Sequence, residues 1–190
     1  MKGNSTTRPR RGPVPALATG FTLSALACYA AAWAAGALLF GHHRHTAVAR
    51  LAAAAVTATF LIVDTRLFGL RTPMWRRQTP REHFHRHGPT RGAFVWGLDT
   101  GLVFSTYRIT SLSWVALTLT LAGLVPWWAG LAYAAGFVLP AAALILLVPA
   151  GRPDTEPFWL TDRVASYEPV LRRLALGLLA AATLALAVTA

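Results

Sequence analysis

Apolar blocks separated by short polar breaks predict a bundle of membrane helices. The blocks cover residues 16–40, 47–70, 92–125, 127–148 and 174–190. A secretory leader has an apolar core of about 7–15 residues. The first block is longer, about 25, so it reads as an uncleaved transmembrane helix. Its Gly20, Gly36 and many alanines give it small faces for close helix packing. The block at 92–125 is too long for one crossing. As a straight helix it would run roughly 51 Å against about 30 Å of hydrocarbon. Its middle carries Asp99, Thr100, Ser105, Thr106, Tyr107, Arg108, Thr110, Ser111 and Ser113. A polar centre of this kind fits a broken or strongly tilted helix facing the protein interior. The predicted fold class is therefore all-α: a polytopic integral membrane helical bundle of five or six transmembrane segments with a broken central helix.

Two further stretches frame this domain. Residues 1–15 are polar, basic and proline-rich, which predicts a disordered tail. Residues 71–91 hold Arg71, Arg76, Arg77, Arg81, Arg86 and Arg91 against a single acid, Glu82. Pro73, Pro80 and Pro89 argue against a long helix there. The segment reads as a cytoplasmic loop hugging the membrane interface, with Arg76, Arg77 and Arg81 available to anionic lipid or a protein partner. A last loop is expected at 149–173, and Pro126-Trp127-Trp128 as a turn with aromatic interface anchors.

Composition agrees with the pattern. Charged residues make up 13% of the chain, against about 25% in soluble domains, and their absence falls in the long blocks. The net charge is +11, with Lys2 the only lysine among the 18 basic residues. Most arginines flank apolar blocks, where the positive-inside rule puts them, so the basic balance does not call for a nucleic-acid partner. Lys/Arg counts place the N-terminus inside, the loop at 41–46 outside and the basic segment inside. The C-terminus lies outside if the central block crosses once and inside if it crosses twice; the arginines of the last loop favour five crossings over six. The expected location is the inner (plasma) membrane. Cys28 stands alone, which excludes an internal disulfide and a CxxC pair.

On a helix, Asp99, Thr106, Thr110, Ser113 and Thr120 share one face, while Arg108 points nearly opposite. Hydroxyls of this kind often only glue helices together. A carboxylate at membrane depth is costly and marks a functional-site candidate. Asp64 and Asp99 fall at matching depth from the inner boundary, with Arg66 near. If their spans are neighbours, an Asp64–Arg66–Asp99 cluster would handle a proton or cation, or act as a structural ion network. The histidines 42, 43, 45 and 83, 85, 87 lie in loops on opposite sides of the membrane and cannot form one metal site; no metal or cofactor is expected. No nucleotide-loop, zinc-protease or nucleophile-elbow motif occurs, which leans away from an enzyme.

Arg77-Gln78-Thr79-Pro80, Trp96-Gly97, Gly101-Leu102, Thr106-Tyr107, Thr110-Ser111, Gly136 and Leu139-Pro140 form a pattern that resembles small actinobacterial membrane proteins of the cytochrome-biogenesis/DsbD-like transmembrane superfamily. That superfamily includes exporters of the lysine and sulfite type. The resemblance implies a discontinuous helix lining a central cavity. Its redox members carry a Pro-Cys pair at the break. This chain has no cysteine there, so those redox residues transfer to no position. The readings that follow are a transport or carrier-like protein for a small, anionic solute, with a cavity lined by Asp99, Thr106, Arg108, Thr110 and Ser113 beside Asp64 and Arg66; a non-catalytic accessory protein docking through its basic loop; or, more weakly, an intramembrane enzyme.

Overall fold

A computed structural model describes residues 13–70, 82–103, 110–147 and 158–190. All the elements among them are helices: α1 (Pro13–Phe40), a 3-10 turn (Gly41–His45), α2 (Ala47–Thr65), α3 (Glu82–Gly101), α4 (Leu112–Leu121), α5 (Ala129–Leu147) and α6 (Phe158–Val188). Three are long and apolar enough to cross a membrane: α1, α2 and the Ser166–Val188 part of α6. These three point to a membrane location. Leu112–Leu121 and Ala129–Ala143 are apolar but shorter.

The first helix is the hub. It packs along α3, α5 and α4, while α2 packs chiefly along α6. Its buried residues (Leu17, Gly20, Phe21, Ser24, Ala25, Tyr29 and Gly36) recur every three or four positions and so form one face. Small residues let backbones touch there. A Cβ on Gly20 would overlap the Phe94 carbonyl of α3, and one on Gly97 would overlap the Leu17 carbonyl of α1. In lipid the approach of small faces replaces the hydrophobic effect as the force between helices. On the α5 side Phe21 stacks on Phe137, with centroids 4.3 Å apart and planes 4° from parallel.

Several boundaries differ from the sequence expectation. The second span ends at Thr65, because Arg66 adopts a left-handed conformation (φ 60°) that closes the helix. In the basic segment residues 71–81 lie outside the described residues, and a short helix from Glu82 breaks at Gly88 (φ 76°, ψ 170°), in keeping with the expected absence of a long helix there. Gly88 takes a conformation costly for other residues, and Pro89 then restarts the helix where its missing N–H costs nothing. The last loop is also shorter than expected, since α6 begins at Phe158 and runs through Pro169. The central block is two helices: α3 stops at Gly101 and α4 starts at Leu112.

Candidate functional site at the helix break

Helix α4 has only 10 residues, about 15 Å, and a helix this short is marginal alone. Charged side chains from elsewhere in the chain hold both its ends. At its start the Ser111 backbone N–H donates to Asp64 Oδ2 and the Ser111 hydroxyl donates to Asp64 Oδ1, each at 2.7 Å. Asp64 is 4% exposed and Ser111 fully buried. At its end Arg44, 6% exposed, donates through one Nη to the carbonyls of Thr120 (3.2 Å) and Leu121 (3.3 Å). The same nitrogen donates to the Trp33 carbonyl of α1 at 2.9 Å, and the guanidinium lies 4.9 Å from the Trp33 ring centroid. A carboxylate at the N-terminus and a cation at the C-terminus each oppose the partial charge of the helix end. Gly123 (φ 76°) turns the chain beneath this arginine, and a Cβ there would come within 2.8 Å of its Nε.

Arginines join α2 and α6 in the same manner. Arg172 donates from Nη2 (2.7 Å) and Nε (3.2 Å) to the backbone carbonyl of Asp64, near the end of α2. Arg50, near the start of α2, donates to the Thr189 carbonyl just past α6. Each helix thus supplies an arginine to the other's unsatisfied C-terminal carbonyls, so the two run antiparallel. Arg66 pairs with Glu168 at 4.0 Å, with both side chains well exposed.

Helical rise sets the depth of the break. From the turn at Gly41–His45, Asp64 lies about 26 Å along α2, and the same descent along α1 ends near Ser24. A Cβ on Gly101, the last residue of α3, would overlap the Ser24 hydroxyl. The end of α3, the start of α4 and Asp64 therefore share one level.

The sequence candidates distribute as follows. Asp64 sits at the start of α4 and Arg66 turns to Glu168. Asp99 is half-buried in the last turn of α3, on the helix packed against α1 rather than on a partner of α2. Thr110 is half-buried beside Ser111, and the Ser113 hydroxyl is buried with no hydrogen-bond partner among the described residues. Thr106 and Arg108 lie outside the described residues, as do Arg76, Arg77 and Arg81. Arg44 and Arg172 escaped sequence reasoning. The available signals were an arginine among histidines with no acid nearby, and the i, i+4 spacing of Glu168 and Arg172, which fits a helix face. Among the described residues no group of three His, Cys, Asp or Glu is placed to hold a metal ion. No family model, curated protein or solved structure matches the chain.

Proposed function

We propose that the protein is a small multi-pass membrane protein of the carrier type, moving a small anionic solute past the break between α3 and α4. The observation that carries this reading is the interruption between Gly101 and Leu112 at the level of a buried carboxylate. Discontinuous helices form the solute sites of many transporters, where half-helix ends and irregular backbone meet the cargo, and such backbone persists at membrane depth only where protein or a water-filled cavity surrounds it. In this reading Asp99, Thr106, Arg108, Thr110 and Ser113 line the path and Arg108 takes the anionic group. Asp64 supplies the counter-charge, while Arg66 turns to Glu168 and stays off the path. Five crossings suit the geometry better than six: with the start of α2 outside, antiparallel packing puts the end of α6 outside as well.

The test is flux in proteoliposomes loaded with a panel of small organic and inorganic anions. The expectation is uptake that the wild type supports and that Asp99→Asn and Arg108→Gln each reduce by at least tenfold. Equal flux in wild type and both variants would remove the carrier assignment. Loss of a co-purifying partner in an Arg76→Gln/Arg77→Gln/Arg81→Gln variant, with no anion transported by the wild type, would favour the accessory reading.

A further inference from the structure

The first turns of the α6 span line a crevice of about 300 Å³ with Glu168, Pro169, Arg172, Arg173 and Leu176. Its charges are unequally used. Arg172 is committed to the Asp64 carbonyl. Arg66 has the loose contact with Glu168 at 4.0 Å. Arg173 is exposed and makes no hydrogen bond or ion pair among the described residues. Arg66 reaches the crevice through Glu168, and Arg173 adds an unpaired guanidinium to its lining, so the arginines outnumber the one carboxylate and leave a net positive charge.

The depth matches a lipid phosphate. Arg173 lies about 24 Å along α6 from the Thr189 end. With hydrocarbon about 30 Å thick, its guanidinium reaches the headgroup level by extending outward. This is the same side as the arginine-rich segment that follows α2, hence the inner leaflet, where anionic lipids gather basic groups. The surface on the membrane side of Arg173 is apolar. Gly177, one turn further along the same face, has open space where a side chain would be. Leu174 and Leu178 flank it, each 61% exposed. A cation pair above a hollow apolar strip suits an amphiphile and gives a free phosphate only half of its contacts.

We propose that this crevice binds one anionic phospholipid of the inner leaflet, with Arg66 and Arg173 on the phosphate and an acyl chain lying over Gly177. The site rests on the membrane reading but not on carrier activity, so it stands or falls separately from anion flux.

The full-length protein, re-lipidated with equal phosphatidylglycerol and phosphatidylcholine, would be washed and its retained lipid identified by native mass spectrometry. Wild type is expected to retain phosphatidylglycerol preferentially. An arginine near an anionic surface contributes about fivefold to affinity, so Arg66→Gln/Arg173→Gln should weaken retention by roughly 25-fold. Gly177→Leu, which fills the hollow and leaves every charge in place, should also reduce it. Arg76→Gln/Arg77→Gln/Arg81→Gln should retain the lipid, and excess glycerol phosphate should not displace it. Equal retention of both lipids by wild type would overturn the proposal. So would full retention by both the arginine pair variant and Gly177→Leu, loss confined to the 76/77/81 variant, or displacement by glycerol phosphate.

Discussion

Replacing Asp64 by alanine removes the acceptor of two hydrogen bonds at the start of α4 and leaves the Ser111 N–H and hydroxyl buried with that acceptor gone. Hydrogen bonds to a charged group contribute about 1.5–3 kcal/mol each, and a buried group stripped of its partner costs about 1–3 kcal/mol. The carboxylate also opposes the helix dipole, an effect of up to about 2 kcal/mol in partly buried sites. These contributions overlap, so the expected loss for Asp64→Ala is about 2–4 kcal/mol. Asp64→Asn keeps an acceptor for the Ser111 N–H and a donor for its hydroxyl, so it should lose only the charge, about 1–2 kcal/mol. An ordinary interhelical hydrogen bond inside a membrane averages about 0.6 kcal/mol, and that figure is the discriminating one. Detergent-titrated unfolding of the reconstituted protein, followed by far-ultraviolet circular dichroism, reads the difference. A loss below about 1 kcal/mol for Asp64→Ala, or an equal loss for alanine and asparagine, would show that Asp64 does not act as a charged cap.

Other outcomes are equally definite. Arg44→Met should destabilise the protein by about 2–4 kcal/mol, since it removes three donated bonds and uncovers the last carbonyls of α4; Arg44→Lys, keeping charge without the planar fork, should fall between Met and wild type in the same titration. Gly97→Leu should abolish folded protein in size-exclusion profiles because its Cβ would enter the α1 backbone, whereas Gly136→Ala, with nothing within 4 Å, should be silent. Glu168→Gln should shift stability by under about 0.5 kcal/mol, since an exposed pair at 4.0 Å contributes little; a larger loss would mean the crevice is organised by that carboxylate. Reporter fusions at the C-terminus should read as external, and a cytoplasmic signal would defeat the five-crossing arrangement.

Helical character was legible from block length, and the break in the central helix from its polar middle and excess length. The packing face of α1 was partly legible, through Gly20, because uniformly apolar helices hide their buried side except where small residues mark it. The interruption near the start of α3 was legible from Pro89, and Gly88 supplies the conformation that makes it. The use of the charges was less visible. Asp64 stood out as a buried carboxylate, yet its partner is a helix start some 47 residues later in the chain. Arg44 resembled a solvated loop residue, although it covers a helix end 76 residues away. Such pairings depend on where helix ends meet in space, and neither local spacing nor hydropathy encodes that.

The antiparallel clasp between α2 and α6 also constrains how the protein is made. The second span emerges early, but the helix that satisfies its terminal carbonyl and receives Arg50 is the last one described. At translation speeds of about 5–20 residues per second, the roughly 100 residues between them impose a wait on the order of five to twenty seconds. Over the same interval α1 can find α3 and settle its glycine contacts. Biogenesis is therefore expected to proceed in two stages, an early α1–α3 pair and a late closure by α6. Chains that stall before that closure would present Arg50 and the end of α2 unclasped, as ready substrates for membrane quality control.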